Sequence, residues 1–198
     1  MDRKESKWDK LLKIKTSGRD DSGADQYRYP YEPTPYCVLE RLAFSGYIGK
    51  KNILIDYGCG KGRVDFFLSY QTRCRSVGIE YDARIFDSAA ENQRSAVSAC
   101  RTVFFHQKAE EYPVPGEADR FYFFNPFSVE ILRSVWERIR ESYYENPREM
   151  RLFFYYPSDE YVSWLMTVEE LNFLDEMDCR DLFEGENPRE RILIFGIE

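Results

Sequence analysis

The sequence has little of the chemistry that metal sites, disulfide frameworks and membrane spans require. Its 198 residues include one histidine and five cysteines, and no two cysteines have the Cys-x-x-Cys spacing of a zinc site or redox pair. An odd number of cysteines is typical of a reducing compartment. No apolar run approaches the ~20 residues that cross a bilayer, and residues 1–10 are charged, without the apolar core of a secretion signal. We therefore expect a cytoplasmic protein with no metal site and no membrane association.

The charge balance of the chain is acidic. With 28 basic and 35 acidic side chains, the formal net charge is −7. Sequence-independent nucleic-acid binding depends on lysine and arginine neutralising phosphates, so this balance predicts no broad nucleic-acid binding. Hydrophobic residues make up 43% of the 198 positions, which is enough for one globular domain with a full core. Nothing in the composition indicates the oligomeric state.

One stretch joins a strand pattern to a helix pattern through closely spaced glycines. The apolar run Ile53–Tyr57 predicts a short buried strand, interrupted only by Asp56. Glycines then occupy every second position, namely Gly58, Gly60 and Gly62. Apolar residues return at helical spacing with Val64, Phe67 and Leu68. Glycine tolerates positive φ and lets a ligand approach the backbone, and the N-terminus of the next helix favours the polar end of a nucleotide-like ligand.

A second strand pattern supplies the acidic partner of such a loop. The segment 76–80 ends at Glu80, at the separation of about 20 residues from the glycine loop that open α/β nucleotide folds use. In those folds the carboxylate accepts hydrogen bonds from the ribose hydroxyls of the ligand. The two features together predict a nucleotide-like cofactor held between the glycine loop and Glu80.

Both segments resemble motifs of the class I S-adenosylmethionine-dependent methyltransferases. Their first motif is matched by Asp56-Tyr57-Gly58-Cys59-Gly60-Lys61-Gly62, and their second by Gly78-Ile79-Glu80-Tyr81-Asp82. The Gly-x-Gly-x-Gly spacing differs from the Gly-x-Gly-x-x-Gly of dinucleotide dehydrogenases. The resemblance implies S-adenosylmethionine as the cofactor and methyl transfer as the reaction. The cofactor-binding residues that it implies in these motifs are Asp56, Gly58, Cys59, Gly60, Gly62, Glu80 and Tyr81.

Two further positions follow from the resemblance, and both depart from the family pattern. After the third predicted strand, 102–106, the family has an acidic residue that accepts from the adenine amino group, whereas this chain has Gln107 and Lys108. After the fourth strand, Asn125-Pro126-Phe127 resembles the Asn-Pro-Pro-Phe loop of amino-group methyltransferases, with one proline missing. The resemblance implies that Asn125 and the Pro126 carbonyl accept from the target amino group while Phe127 packs on it. Asn125 is also predicted to contact the cofactor.

The order of elements predicts an α/β domain over residues 31–198. Short apolar strands alternate with amphipathic helices and two strands close the chain, which indicates a doubly wound, mostly parallel seven-stranded sheet with a C-terminal antiparallel hairpin. Thr34 is predicted to cap the helix before the first strand, Asp82 to cap the helix after the second strand, and Thr167 to begin a short helix near the end. Residues 1–30 are predicted to form a flexible extension, either a mobile tail or a lid over the ligand.

The sequence predicts an enzyme that transfers a methyl group from S-adenosylmethionine. Such an in-line displacement needs a positioned nucleophile and excluded water rather than a metal or a nucleophilic side chain. No motif specifies the acceptor. The acidity of the chain favours a small molecule or a protein side chain, and the loop at Asn125 favours an amino nitrogen. Three alternatives stay open: an NAD-type oxidoreductase, a non-catalytic module that binds S-adenosylmethionine or S-adenosylhomocysteine, and an aminopropyl transferase of the same fold.

Overall fold

The centre of the molecule is a seven-stranded sheet. A computed structural model describes residues 3–21 and 24–197, so Ser22 and Gly23 of the predicted flexible extension lie outside the described residues. The strands are β1 (Ile53–Tyr57), β2 (Arg75–Glu80), β3 (Thr102–His106), β4 (Arg120–Phe123), β5 (Met150–Tyr155), β6 (Asn172–Asp178) and β7 (Arg191–Ile197). Their order across the sheet is β3-β2-β1-β4-β5-β7-β6.

Most strand pairs in this sheet are parallel. β1 pairs in parallel with β2 and β4, β2 pairs with β3, and β4 pairs with β5. β7 runs antiparallel to both β5 and β6. The predicted doubly wound, mostly parallel sheet with a C-terminal antiparallel hairpin is therefore confirmed. Parallel strands are normally covered on both faces, which is why the strand sequences are near-continuous apolar runs.

Helices cover both faces of the sheet. Within the described residues they are α1 (Arg3–Leu12), α2 (Tyr36–Phe44), α3 (Arg63–Thr72), α4 (Ala83–Ser95), α5 (Val129–Glu145) and α6 (Asp159–Leu165). Buried residues of α1 to α4 share one hydrophobic cluster, and those of α5 and α6 share the other. Alternate strand residues face opposite clusters, since Leu54 belongs to the first and Ile53 and Ile55 to the second.

The carboxyl ends of β1 and β4 are where the fold places a ligand crevice. α3 follows β1 onto one face of the sheet, and α5 follows β4 onto the opposite face. The direction of winding therefore reverses between these two neighbouring strands. Open α/β sheets bind ligands outside the carboxyl ends of their strands at such a point. The glycine loop after Tyr57 and the segment 125–127 both lie there.

The N-terminal helix α1 packs against the body of the domain. The ring of Trp8 lies 4.9 Å from that of Phe67 in α3, at 83° to it, and its indole N–H donates to Glu40 at 2.8 Å. Leu12 is fully buried. In the part of the chain that the structure describes, no helix is long and apolar enough to cross a bilayer.

Two predicted helix starts are wrong. α2 begins at Tyr36 with Pro35 as its N-cap, and the Thr34 hydroxyl instead forms a 3.1 Å hydrogen bond with the Tyr122 hydroxyl. The segment after Thr167 forms turns, and the Thr167 hydroxyl donates back to the carbonyl oxygen of Trp164 at 2.7 Å. Both threonine hydroxyls have other partners, so neither caps a helix. The predicted cap at Asp82 is confirmed, since its carboxylate accepts from the first turn of α4.

Candidate functional site

The glycine loop connects β1 to α3 through three residues at positive φ. The φ angles are +74° at Gly58, +58° at Gly60 and +83° at Gly62. A Cβ added at Gly58 would lie 2.5 Å from Pro126, and one at Gly62 would lie 2.7 Å from Phe104. Only glycine fits this conformation without strain. Two loop amides, those of Gly58 and Cys59, donate to the carbonyl oxygen of Ile79 and so hold the loop against β2.

The carboxylate of Glu80 lies at the end of β2 and binds this loop. One oxygen accepts from the Gly60 amide at 2.9 Å and the other from the Asp82 amide at 2.9 Å. Burial raises the pKa of Glu80, and the two amide donors partly oppose that rise. A carboxylate has about four lone-pair positions, so each oxygen still has capacity for a ligand hydroxyl.

Asp56 in β1 and Asp65 in α3 form a buried carboxyl pair beneath the loop. Asp56 is 3% exposed and Asp65 is fully buried. Burial raises the pKa of Asp65 to about 7. Burial, followed by the neighbouring charge of Asp65, raises the pKa of Asp56 well above its ordinary range. Two neighbouring buried carboxylates cannot both ionise cheaply, so burial and their mutual repulsion favour protonation of this pair. The Oδ2 atom of Asp56 has no hydrogen-bond partner among the described residues.

Arg63, the first residue of α3, ties the N-terminal segment to the glycine loop. Its side chain is 2% exposed, and its guanidinium lies 4.3 Å from the ring of Tyr36. It donates to the Thr16 hydroxyl at 2.7 Å and pairs with the carboxylate of Glu5. Its Nη2 atom lies 3.8 Å from Asp9, beyond hydrogen-bond distance, and is buried without a hydrogen-bond partner among the described residues.

Residues 19–21 and 24–33, named the strap here, cross the crevice. The strap joins the segment after β4, because the Tyr29 amide donates to the Pro126 carbonyl at 3.1 Å and the Ser128 amide to the Tyr27 carbonyl at 2.7 Å. The ring of Tyr31 lies over Gly60, where an added Cβ would be 2.2 Å from it. The strap therefore covers the middle of the glycine loop.

Arg28 fastens the strap to the far side of the crevice. Its guanidinium forms a 2.7 Å ion pair with Glu110 and lies 4.1 Å from the ring of Tyr81. Both charged side chains are mostly buried, with 18% and 25% exposed. Partial burial makes this pair stronger than a surface ion pair.

Under the strap lies a cavity of about 90 Å³, named the first cavity. Eight predicted site residues line it: Asp56, Gly58, Cys59, Glu80, Tyr81, Gln107, Pro126 and Phe127. Gly60 and Gly62 do not line it, since Tyr31 covers one and Phe104 packs on the other. Lys108 does not either, because it is exposed and pairs with Glu111 at 2.9 Å. Of the two predicted adenine contacts, Gln107 lines this cavity and Lys108 does not.

A second cavity, of about 160 Å³, lies next to it at the carboxyl ends of β4 and β5. The lining side chains that matter below are Arg19, Tyr29, Glu32, Asn125, Tyr156 and Arg189. Asn125 and Tyr156 have backbone φ angles of +42° and +51°, which residues other than glycine rarely adopt. The Oδ1 atom of Asn125 is buried without a hydrogen-bond partner in the described part of the chain. Asn125 is thus a lining residue of this cavity and not of the first one.

The sequence did not single out several residues of this site. Arg63 could have been identified from the sequence, because a cation at the first position of a helix interacts unfavourably with the helix dipole and is unusual there. Arg28, Tyr31, Glu110 and Arg189 had none, since each lies far along the chain from its contacts. The three residues of the Asn125-Pro126-Phe127 motif are adjacent in sequence, but Asn125 lines the second cavity whereas Pro126 and Phe127 line the first. Phe127 is 4% exposed and its carbonyl accepts from the Tyr161 hydroxyl at 2.6 Å.

Solved structures share this fold. An RNA methyltransferase from Salinibacter ruber in complex with S-adenosyl-L-homocysteine has a TM-score of 0.56 and 21% identity over 84% of this chain and 94% of that one. An rRNA methylase from Streptococcus thermophilus has a TM-score of 0.56 and 10% identity over 85% and 98%. A mitomycin 7-O-methyltransferase has a TM-score of 0.61 and 13% identity over 81% and 53%. The predicted class I methyltransferase fold is confirmed. No protein-family model and no curated protein sequence matches the chain.

The prediction of no broad nucleic-acid binding is wrong as an inference from net charge. Two of the three structures described above are RNA methyltransferases of the same fold. A net charge of −7 belongs to the whole surface, whereas binding of a phosphate depends on the charges around one cleft. The acidic composition therefore does not separate nucleic-acid substrates from others.

Proposed function

We propose that this protein transfers a methyl group from S-adenosylmethionine. The observation that carries the proposal is the first cavity, where the glycine loop, the buried end of Asp56 and the carboxylate of Glu80 converge at the winding reversal of the sheet. The fold alone hosts several chemistries, so the site residues have to support the activity.

Unpartnered atoms around the first cavity suit the amino-acid end of S-adenosylmethionine. Asp56 offers an acceptor oxygen without a partner, and Arg63 offers a donor nitrogen without a hydrogen-bond partner, both buried and both from residues that line the cavity. An α-ammonium and an α-carboxylate would satisfy them. A buried polar group without a hydrogen-bond partner destabilises the protein. A zwitterionic ligand that supplies the missing partners would remove that free-energy penalty.

The rest of the cavity suits the nucleoside part. Glu80 has lone pairs left for ribose hydroxyls after binding the two loop amides. Gln107 lines the cavity beyond Glu80 and offers a carbonyl oxygen to an adenine amino group. Tyr81 supplies a ring on the same side. A dinucleotide is disfavoured by the Gly-x-Gly-x-Gly spacing of the loop.

S-adenosylmethionine would supply a methyl carbon on a sulfonium, which is already a good leaving group. The chain then has to hold the acceptor in line and exclude water. Asn125 is the residue that we place in that role, because it follows the carboxyl end of β4 and lines the second cavity beside the first. Pro126 and Phe127 take supporting positions, since their carbonyls already accept from Tyr29 and Tyr161.

The N-terminal extension acts as a lid in this proposal, and residues 31–198 form the methyltransferase domain. Tyr31 lies where it would touch any ligand on Gly60, and Arg28 binds Glu110 across the crevice. Bound cofactor would have to displace or repack Tyr31, and the strap would then shield the methyl group from water. Meanwhile Arg63 donates to the Thr16 hydroxyl, and the Thr16 carbonyl accepts from the Tyr31 hydroxyl of the strap at 2.6 Å, so the strap stays linked to the glycine loop through Thr16.

Calorimetry with S-adenosylhomocysteine and with NADH tests the cofactor. We expect micromolar or tighter binding of the first and none of the second. Incorporation of labelled methyl from S-adenosylmethionine into a fractionated lysate then tests catalysis. Binding without incorporation would favour the non-catalytic module, and binding of NADH alone would favour the oxidoreductase.

Substitution of Asn125 by alanine tests the acceptor side. If Asn125 positions the acceptor, turnover should fall tenfold or more with the affinity for S-adenosylhomocysteine unchanged, because misplacement alone can cost about 10²-fold. If Asn125 only shapes the turn, which its φ of +42° makes a real alternative, the melting temperature should fall and turnover per folded molecule should not. Unchanged turnover would remove Asn125 from the site.

A further inference from the structure

The N-terminal segment directs its acidic side chains inward and its lysines outward. Glu5 pairs with the buried guanidinium of Arg63, and the carboxylate of Asp9 accepts from the amide and the hydroxyl of Thr16 at 2.8 and 2.7 Å. Asp9 is buried. The exposed side chains of the same segment include four lysines: Lys7, Lys10, Lys13 and Lys15. The negative charges therefore serve the interior, while the positive charges face solvent.

These four lysines, named the basic ridge, have no ion-pair partner. No carboxylate in the described part of the chain lies within ion-pair distance of any of their ammonium groups. Lys7 and Lys10 are neighbours on the surface of α1, where like charges repel. Arg19, by contrast, pairs with Asp21 at 2.7 Å and lies 3.9 Å from Glu32. The ridge is thus an uncompensated positive surface on a chain of net charge −7.

Lys13 occupies a backbone conformation that favours glycine. Its φ is +59°, and the Ile14 amide donates to the Asp9 carbonyl at 2.9 Å, which closes the C-terminus of α1. Helices commonly end with glycine at this left-handed position, because a residue with a Cβ is strained there. A cation interacts favourably with the end of a helix, but Lys10 already supplies one in the last turn. Strain retained at one residue indicates a use for its side chain.

The basic ridge leads to the cofactor crevice. The side-chain amide of Asn92 in α4 donates to the carbonyl oxygen of Lys15 at 3.2 Å and to that of Lys61 in the glycine loop at 3.0 Å. The ammonium of Lys61 lies 4.8 Å from the ring of Tyr31 in the strap. The Tyr31 hydroxyl donates to the carbonyl oxygen of Thr16 at 2.6 Å. The end of the ridge, the glycine loop and the strap are therefore held side by side.

The strap adds two exposed aromatic rings to this surface. Tyr27 is 47% exposed and Tyr29 is 38% exposed, and Tyr29 also lines the second cavity. Proteins bind single-stranded nucleic acids with cations that follow the phosphates and with aromatic rings on which the bases stack. The ridge supplies the first of these features and the strap supplies the second.

Two other polyanionic partners fit the surface less well. An anionic membrane binds a helix through a free apolar face, whereas Leu12 of α1 is fully buried and Trp8 packs against Phe67. An acidic peptide can pair with the lysines, but it has no planar base to stack on the tyrosine rings. The combination of charge and rings favours a nucleic acid, and a single strand is the form that leaves its bases free to stack.

We propose that the basic ridge and the exposed tyrosines of the strap bind a single-stranded nucleic acid, which brings the methyl acceptor to the crevice. Its phosphates lie along the ridge, and its bases stack on Tyr27 and Tyr29. This inference rests on the methyl transfer proposed above. A nucleophilic atom of the strand bonds to the methyl carbon, the carbon–sulfur bond breaks with its electron pair on sulfur, and the proton of the nucleophile passes to water.

Fluorescence anisotropy with labelled oligonucleotides of about 12 nucleotides tests this surface. The full chain is saturated with S-adenosylhomocysteine, and the probes are single-stranded RNA, single-stranded DNA and duplex RNA of mixed sequence. We expect at least one single strand to bind at least tenfold more tightly than the duplex, and the tighter of the two single strands identifies RNA or DNA as the partner. The logarithm of its affinity should fall with the logarithm of the salt concentration with a slope of about −3, since each of four phosphate contacts contributes about −0.7.

Two double variants with the same change in charge test the basic ridge. Lys10→Gln with Lys15→Gln should weaken the single strand tenfold or more and make the salt slope shallower by about 1.4, which is two phosphate contacts. Lys50→Gln with Lys51→Gln is the matched control, because both lysines are exposed just before β1, at the opposite end of the strand from the glycine loop. The control should change neither the affinity nor the slope.

Lys13→Gly separates the charge of the ridge from its stability. Because a φ of +59° favours glycine, the melting temperature should stay the same or rise. The salt slope should nevertheless become shallower by about 0.7, which is one phosphate contact. An unchanged affinity for S-adenosylhomocysteine shows that each variant is folded.

Four outcomes overturn the proposal: no single strand binds, the duplex binds as tightly, the ridge variants keep the salt slope of the control, or polyglutamate or phosphatidylserine vesicles bind more tightly than the single strands. These failures leave the methyl-transfer proposal standing as long as S-adenosylhomocysteine binds in calorimetry. If S-adenosylhomocysteine does not bind but a single strand does with the expected dependence on the ridge, the nucleic-acid surface stands and methyl transfer is what fails.

Discussion

The buried carboxyl pair should make the stability of this protein fall as the pH rises through neutrality. Asp65 has its pKa raised from 3.8 to about 7, chiefly by burial. Between those two values the folded state keeps a proton that the unfolded state has lost. In this range the free energy of unfolding falls by about 1.4 kcal/mol for each pH unit, because the folded state binds one proton more than the unfolded state.

Replacement of Asp65 by asparagine removes this proton without changing the shape of the side chain. Between pH 5.5 and 7 the stability of the variant relative to the natural protein should grow by about 2 kcal/mol, which is 1.5 pH units at the slope of a single proton. Above about pH 7.5 the difference should level off, since Asp65 is then ionised in both states of the natural protein.

Urea unfolding followed by circular dichroism at pH 5.5, 6.5, 7.5 and 8.5 measures this difference. Asp87→Asn is the matched control, because Asp87 is exposed on α4, and its curve should parallel that of the natural protein. If Asp65→Asn also gives a parallel curve, Asp65 is ionised throughout this range and its pKa is not raised to about 7.

The remaining predictions concern the cofactor crevice. Glu80→Ala should weaken S-adenosylhomocysteine binding by about 1.5–3 kcal/mol, the range of a charge-assisted hydrogen bond, and Glu80→Gln by less; equal calorimetric affinity for all three proteins would remove Glu80 from the site. Gly60→Ala should lower the melting temperature more than Gly46→Ala, because both positions have positive φ but only a Cβ at Gly60 meets the Tyr31 ring. Equal shifts in melting temperature would mean that the Tyr31 ring moves aside at no measurable cost. Arg63→Met should expose the N-terminal segment around Thr16 to limited proteolysis and cost about 3–5 kcal/mol of stability, as expected when one partner of a buried ion pair is removed; an unchanged digestion pattern would mean that Arg63 does not hold this segment.

The fold was predictable from the sequence because its signals are local. The apolar run Ile53–Tyr57 followed by glycines at alternate positions is incompatible with most structures other than strand, turn and helix. Asp82 caps α4 as its position after a strand indicated. Two strands in succession at the end of the chain indicated the hairpin that pairs β6 with β7. Each of these choices depends on residues within one or two turns of the chain.

Local patterns failed where a distant residue had a stronger interaction with the same side chain. Thr34 has the sequence context of a helix cap, but its hydroxyl bonds to Tyr122, 88 residues away. Lys108 occupies the position of an adenine contact, but it pairs with Glu111 and leaves the crevice to Gln107. Propensity and motif are weak preferences, and a buried hydrogen bond or an available ion pair overrides them.

By itself, the sequence determined the succession of strands and helices along the chain and the position of the glycine loop. It also determined the acidic residue at the end of β2 and the amide residue after β4. These follow from periodicity and spacing, which are properties of neighbours along the chain. The tertiary structure decided what surrounds them: Tyr31 over Gly60, the burial of Asp56 beside Asp65, and Arg189 against Tyr156. Those contacts depend on burial and on charges brought together from distant segments, and the free energy of each arises only when the chain has folded.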